Sequence, residues 1–446
     1  MRRIHPLLLY ILLWLASFSL LGSGLYLVWE LNFFIALLSL VGSLVVLWLA
    51  KHYQILSAIT KQDFKINFNF QLGQLAYIFF YLTAWLIYQQ KSNALFLILH
   101  YSLTLSVAVV VYAVGYGFDP FVHQAAISYI SEHGAVLPKT FYYVGQYALE
   151  VMVHKLTALP LIGLDKFFLP VLASIFLPLT AYHVFKQIRF DKRLAQLIIL
   201  ASLILPLSWF IMTTPQGLGY FWLIIIVLLG LVAQENRDFV VLYILALAAL
   251  VAQPIAGIPA LLLVVALHWQ ANNHRFKKEG LSILLFLQAV SLPAIFYYLN
   301  KNQAVTQPVN DPTAVWRQVD WPLFSLPNLH SLWLNLVQLL QNNYWLLIIV
   351  LILAGLAIIW RQVQSRLYFT YGLMAVAGLL AWSLSSLLPF NFLINYDRDY
   401  YTQRLLFTAL IIALPFVWQT GHWLLERLNV QDKIVKVPLY LALAVI

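Results

Sequence analysis

Two groups that could carry out acid–base chemistry stand four residues apart in the stretch GFDPFVH, at Asp119 and His123. Residues with this spacing lie on one face of a helix. A carboxylate beside an imidazole could activate a hydroxyl group by general-base catalysis. The same pair could instead supply an oxygen and a nitrogen ligand to a divalent metal site. A purely structural interpretation is also open, in which Asp119 only caps the helix and His123 points into interfacial water.

A second group of charged residues, Asp397-Arg398-Asp399 followed by Arg404, precedes a long apolar run. The two carboxylates of an Asp-x-Asp sequence can reach one divalent cation. Either arginine could bind a phosphate through two parallel hydrogen bonds. The alternative is a solvated turn with a local ion pair. We therefore take Asp119, Asp397 and Asp399 as candidate ligands of Mg²⁺ or Mn²⁺, and no other cofactor is expected.

The elements that must position these residues are membrane-spanning helices. Of the 446 residues, 63% are hydrophobic and 9% are charged, and the mean hydropathy is +0.84. About 20 apolar residues cross a bilayer as a helix, because a segment in lipid must satisfy its own backbone hydrogen bonds. The sequence predicts an all-α polytopic bundle of about 11–14 spans in one transmembrane domain over residues 1–446. Its last apolar run stops at Ile446, which suggests a truncated chain.

Basic residues are concentrated in short connections, which the positive-inside rule assigns to the cytoplasm. This rule explains the net charge of +10 without a nucleic-acid partner. Three longer connections are then external, at 114–166, 301–332 and 389–402. We expect the plasma membrane of a prokaryote, with the active site on the non-cytoplasmic face. The absence of cysteine excludes disulfides, thiolate zinc sites and cysteine nucleophiles.

Two parts of this topology need explanation. Counting back from 114–166 through four apolar runs places Arg2 and Arg3 outside, against the positive-inside rule. The run 239–269 is about 46 Å long as one helix, which is too long for a single span. It contains Pro254, so we expect two short spans or a re-entrant pair broken there.

The 114–166 loop contains the strongest local signals. Asp119 followed by Pro120 favours the start of a helix, and Gly134 favours its end, which predicts a surface helix over 119–133. An aromatic-rich second helix follows. Its Tyr142 and Tyr143 suit an interfacial aromatic belt and are candidate substrate-binding residues.

The loop 301–332 contributes a further candidate substrate-binding residue, Trp316. Its indole could stack on a sugar ring or anchor the loop at the membrane interface. Loops of this length are often functional, although a plain interfacial loop explains any one of its residues.

The stretch GFDPFVHQAAISYISEHG resembles the first external-loop motif of GT-C fold glycosyltransferases, particularly the catalytic subunits of oligosaccharyltransferases. In that family an Asp-Pro pair opens a juxtamembrane helix that ends in Tyr-Ile/Leu-x-x-x-Gly. Tyr129, Ile130 and Gly134 match this ending. The resemblance covers about residues 110–190 and is architectural elsewhere. His123 departs from the oligosaccharyltransferase pattern, and the Trp-Trp-Asp motif is missing.

The resemblance implies that Asp119 is the catalytic acidic residue of a membrane glycosyltransferase. Such an enzyme moves a sugar from a polyprenyl-phosphate donor to a lipid, glycan or protein acceptor, and we expect the donor phosphate near Arg398 or Arg404. A transporter or flippase of lipid-linked sugars is the rival class, which the broken run 239–269 favours. A non-catalytic scaffold with the same fold is a third possibility.

Overall fold

The computed structural model describes residues 5–56, 94–111, 119–139, 142–202, 209–272, 277–301, 332–360, 365–388, 390 and 401–427. Most of these residues are helical and none of them lies in a strand, which confirms the predicted all-α class. They form two compact units, Met1–Val264 and Val265–Ile446.

The helices of the first unit share apolar composition and vary in length. They are α1 Pro6–Val28, α2 Phe33–His52, α3 Ala94–Val111, α4 Asp119–His133, α5 Val144–Thr157, α6 Leu161–Gln187, α7 Lys192–Ala201, α8 Pro215–Gly230, α9 Asn236–Ala252 and the first part of α10 Pro254–Ala271. The second unit begins within α10. It continues with α11 Lys277–Lys301, α12 Leu332–Trp360, α13 Ser365–Ser385, α14 Gln403–Ile412 and α15 Leu414–Arg427.

Six helices of the described residues are long and apolar enough to cross a membrane: α1, α2, α6, α10, α11 and α13. The helices α14 and α15, bent by 51° where they meet, make a seventh candidate if they are counted together. A chain with several such helices is an integral membrane protein. This confirms the polytopic helical bundle predicted from composition.

The long apolar run is broken where the sequence predicts. Helix α9 ends at Ala252, Gln253 has an extended backbone (φ −155°, ψ 107°), and α10 begins at Pro254. A Cβ added to Gly257 would overlap the Cα of Leu250, although residues seven apart in one helix are separated by about 10 Å. The chain therefore turns back sharply, and only a glycine leaves room for this approach.

The start of α1 lies near the end of α6, which a basic segment follows. The end of α1 lies near the end of α4. At its start the ring of His5 lies 5.8 Å from that of His183, near the end of α6. Beyond its other end the Leu31 N–H donates to the Gly134 carbonyl at 2.8 Å. Helix α1 thus begins on the same side as the end of α6, which carries Lys186.

The predicted surface helix has the predicted bounds. Helix α4 begins at Asp119 and ends at His133. Gly134 then adopts a left-handed φ of +83°, and its N–H donates to the Ile130 carbonyl at 2.8 Å. This is the C-cap geometry that glycine favours.

Helix α5 is packed into the first unit more closely than an interfacial helix needs. The Ser19 hydroxyl of α1 donates to the Gly145 carbonyl at 3.0 Å. A Cβ on Gly145 would lie 2.7 Å from the Ala252 amide nitrogen, at the end of α9. On the other side, Val144 and Ala148 join a buried apolar cluster with Ile127 of α4. Helix α5 therefore links the predicted first external loop to the break between α9 and α10.

Candidate functional site

Asp119 is the first residue of α4, as the predicted helix start at Asp119-Pro120 requires. Its side chain lies outside the part of the chain that the structure describes. Helix capping, general-base catalysis and metal ligation by this carboxylate all stay predictions. The described residues contain no group of three or more His, Cys, Asp or Glu side chains that could hold a metal ion.

His123 is held by α5 and does not simply point into interfacial water, so the structural interpretation was wrong for this residue. Its Nδ1 lies 2.6 Å from the hydroxyl oxygen of Tyr147. The ring also meets that of Tyr143 edge to face at 5.5 Å. Spacing of four along α4 places His123 one turn from Asp119, and α5 supplies the hydrogen bond that orients its imidazole.

Tyr147 keeps its proton at physiological pH. Burial raises the pKa of its hydroxyl well above the usual 10, and the nearby Tyr143 and Glu150 raise it further. A protonated phenol that donates to Nδ1 of neutral His123 leaves the ring proton on Nε2. Tyr147 can therefore select the tautomer of His123.

The two candidate tyrosines of the loop have different surroundings. Tyr143 has a left-handed backbone (φ +67°) directly before α5, a conformation that is uncommon for a bulky residue. Its ring packs against His123. Tyr142 is 44% exposed and meets Tyr143 edge to face at 5.1 Å. Tyr142 is thus the more exposed of the two, and sugar binding by either stays a prediction.

Two acidic residues that we did not select from the sequence are buried beside this region. Glu150 of α5 has no exposed surface and Asp165 of α6 is 6% exposed. Gln146 Nε2 donates to Glu150 Oε1 at 2.7 Å, and Gln124 Nε2 of α4 donates to Asp165 Oδ2 at 3.2 Å. Three helices therefore contribute to one polar cluster, which we call the carboxyl cluster: Gln124, Gln146, Glu150 and Asp165.

Three oxygen atoms of the carboxyl cluster are left without a hydrogen bond. Glu150 Oε2, Asp165 Oδ1 and Gln146 Oε1 are buried and have no partner. Burial raises the pKa of Glu150 well above its usual value, the nearby Asp165 raises it further, and the bond from Gln146 opposes the shift. An unpaired buried charge costs roughly several kcal/mol, so this environment favours the neutral form of Glu150.

One sequence signal for Glu150 was present. It is the only acidic residue between Glu132 and Asp165, and apolar residues surround it along the helix. Burying an acid on the apolar face of a helix costs free energy. Such a residue is therefore a candidate for a functional role. The face it occupies, however, depends on how α5 packs.

The candidate residues of the second unit are only partly described. The guanidinium of Arg404, in the first turn of α14, lies 4.8 Å from the centroid of the Tyr401 ring. Tyr401 packs against Phe390 and Phe296 at 5.3 and 5.6 Å. Phosphate binding by Arg404 stays a prediction.

The other candidates of the later loops, Asp397, Arg398, Asp399 and Trp316, lie outside the described residues. Their predicted convergence with Asp119 on one site stays a prediction.

No family model, curated protein or solved structure matches this chain.

Proposed function

We propose that this protein is an integral-membrane glycosyltransferase of the GT-C type. It would transfer a sugar from a polyprenyl-phosphate donor to a lipid, glycan or protein acceptor at the non-cytoplasmic face. The observation that carries the proposal is the pair α4–α5: a helix that begins at Asp119, ends at the Gly134 cap and presents His123 to Tyr147. The motif that resembles the family therefore lies on a helix packed against α5, and the imidazole of His123 is oriented by Tyr147.

In the proposed reaction an acceptor hydroxyl or amide approaches Asp119, which takes or stabilises its proton. The acceptor heteroatom attacks the anomeric carbon with inversion. The bond between that carbon and the phosphate oxygen breaks, and the polyprenyl phosphate leaves with the electron pair. Arg398 or Arg404, or a divalent cation, stabilises the negative charge of the leaving group.

The carboxyl cluster supports a role for proton movement near this surface. Tyr147 and Glu150 are three residues apart on α5 and therefore lie on one face of it. His123 bonds to Tyr147, and burial raises the pKa of Glu150, which favours its neutral form. We assign His123 and Tyr147 as positioning residues and Glu150 as a proton-holding group behind them.

The test measures sugar transfer in membranes from cells that express the chain. The donors are undecaprenyl phosphates that carry radiolabelled glucose or mannose, supplied separately, and the readout is label moved from the donor to any other chromatographic fraction. Asp119→Asn should lower the transfer rate at least about 100-fold, the usual contribution of general-base catalysis. The matched control Glu132→Gln, an exposed acid near the other end of α4, should transfer at the wild-type rate.

Full activity of Asp119→Asn would refute the assigned role. Wild-type membranes that transfer neither sugar would argue against these two donors.

A transporter or flippase of lipid-linked sugars is the second candidate. It is favoured by the break at Gln253, whose buried Nε2 has no hydrogen-bond partner, because broken helices form many transport sites. In proteoliposomes, a transporter would move a fluorescent undecaprenyl-phosphate sugar between leaflets without changing it chemically. A glycosyltransferase would consume the donor once acceptor is present.

A further inference from the structure

A cleft of about 1080 Å³ lies between the α1–α2 turn, the end of α4 and the segment 135–139. It is separate from the Asp119 end of α4, because 14 residues of helix span about 21 Å. Its lining includes a polar end (Glu30, His133 and Lys139) and an apolar wall (Phe34, Ile35 and Leu38).

The ammonium group at the polar end is fixed in place. Lys139 Nζ donates to the Trp29 carbonyl at 2.9 Å and lies 5.3 Å from the centroid of the Tyr26 ring. The segment that carries Lys139 is itself fastened to α1, because the Val136 N–H donates to the Tyr26 hydroxyl at 3.1 Å. An ammonium has three N–H donors, so two remain for an anion in the cleft.

A carboxylate lines the same end of the cleft. Glu30 packs so closely on Gly134 that a Cβ there would lie 2.7 Å from the Glu30 Cβ. Within the described residues, neither Glu30 nor Lys139 forms an ion pair, although both line the cleft. One fixed positive and one negative group, kept apart, are complementary to a headgroup that carries both charges.

The apolar wall continues along a candidate membrane span. Helix α2 is only 28% buried, against 56% for α1. One row among its exposed apolar residues repeats every three or four positions: Phe34, Leu38, Val41, Val45 and Trp48. This stripe is about 21 Å long, which exceeds the roughly 15 Å of one leaflet of the hydrocarbon core. An acyl chain that starts in the cleft can therefore follow α2 through a whole leaflet.

We propose that this cleft binds one phosphatidylethanolamine molecule from the surrounding bilayer. Its phosphate would accept hydrogen bonds from Lys139, its ammonium group would donate to Glu30, and one acyl chain would lie on Phe34 and Leu38. The inference does not depend on the proposed transferase activity.

Photolabelling tests the proposal directly. The purified chain is reconstituted into phosphatidylcholine vesicles that contain phosphatidylethanolamine with a diazirine in one acyl chain, and labelled peptides are identified by mass spectrometry. We expect label on residues 33–48, and unlabelled phosphatidylethanolamine should compete for it better than phosphatidylglycerol. Lys139→Gln and Glu30→Gln should each lower labelling of this segment about tenfold, the loss expected for a charge-assisted hydrogen bond.

The control is Lys155→Gln, which removes a lysine of α5 outside the cleft lining and should label like the wild type. Competition between the two lipids is measured on the wild type, so this measurement stays valid even if a variant fails to fold. Equal competition by phosphatidylglycerol, or equal labelling of other lipid-exposed helices, would overturn the proposal. The proposal would also be overturned if residues 33–48 took up no label and α2 crosslinked to a second copy of the chain, because the stripe would then be a dimer contact.

Discussion

Replacement of Glu150 by glutamine should flatten the pH dependence of stability. Burial and the nearby Asp165 raise the pKa of the native Glu150 well above its usual 4.5. Between those two pKa values the native state holds a proton that the unfolded state has lost. Titration of Glu150 therefore adds no pH dependence to the free energy of unfolding below about pH 4.5. Above that pH it lowers the free energy of unfolding by about 1.4 kcal/mol per pH unit, until the native pKa is reached.

The glutamine variant keeps the acceptor for the Gln146 amide and has no proton to lose. The free energy of unfolding would be measured in mixed detergent–dodecyl sulfate micelles at about pH 5.5 and about pH 7.5. Across these two units, wild type minus Glu150→Gln should fall by up to about 2.7 kcal/mol, with the wild type relatively weaker at the higher pH.

The control for this measurement is Glu132→Gln, which changes an exposed acid on α4 and should keep the wild-type slope. An unchanged slope in Glu150→Gln would refute the reasoning, because Glu150 would then titrate alike in the folded and unfolded states.

Two further substitutions test the packing around α5. Gly145→Ala should destabilise the fold by about 1–3 kcal/mol, because its Cβ would lie 2.7 Å from the Ala252 amide nitrogen. The control is Gly163→Ala, where the added Cβ would meet open space. Equal thermal stability of the two variants would contradict the close approach. Tyr147→Phe should cost about 1 kcal/mol in the same assay by removing the hydrogen bond to His123. It should also change the Nδ1 chemical shift of His123 in nitrogen NMR spectra, and an unchanged shift would show that this bond is absent in solution.

Local signals in the sequence predicted much of the α4 region and the break at Gln253. Asp119-Pro120 and Gly134 gave the bounds of α4 because caps act within one turn of the helix end. Pro254 marked the break for a similar reason, since a proline lacks the N–H that a continuous helix needs. The all-α membrane class followed from composition alone, because lipid leaves the backbone few alternatives.

The contacts between helices were decided only by the tertiary structure. His123 could be placed on one face with Asp119, but its partner Tyr147 lies on the next helix. Glu150 and Asp165 belong to different helices, and their shared burial depends on how α4, α5 and α6 pack. The direction of α1 likewise followed from a contact between His5 and His183, since span counting has no information about which apolar runs cross. Helix type and ends are set by neighbouring residues, whereas burial and pairing are set by residues far apart in the chain.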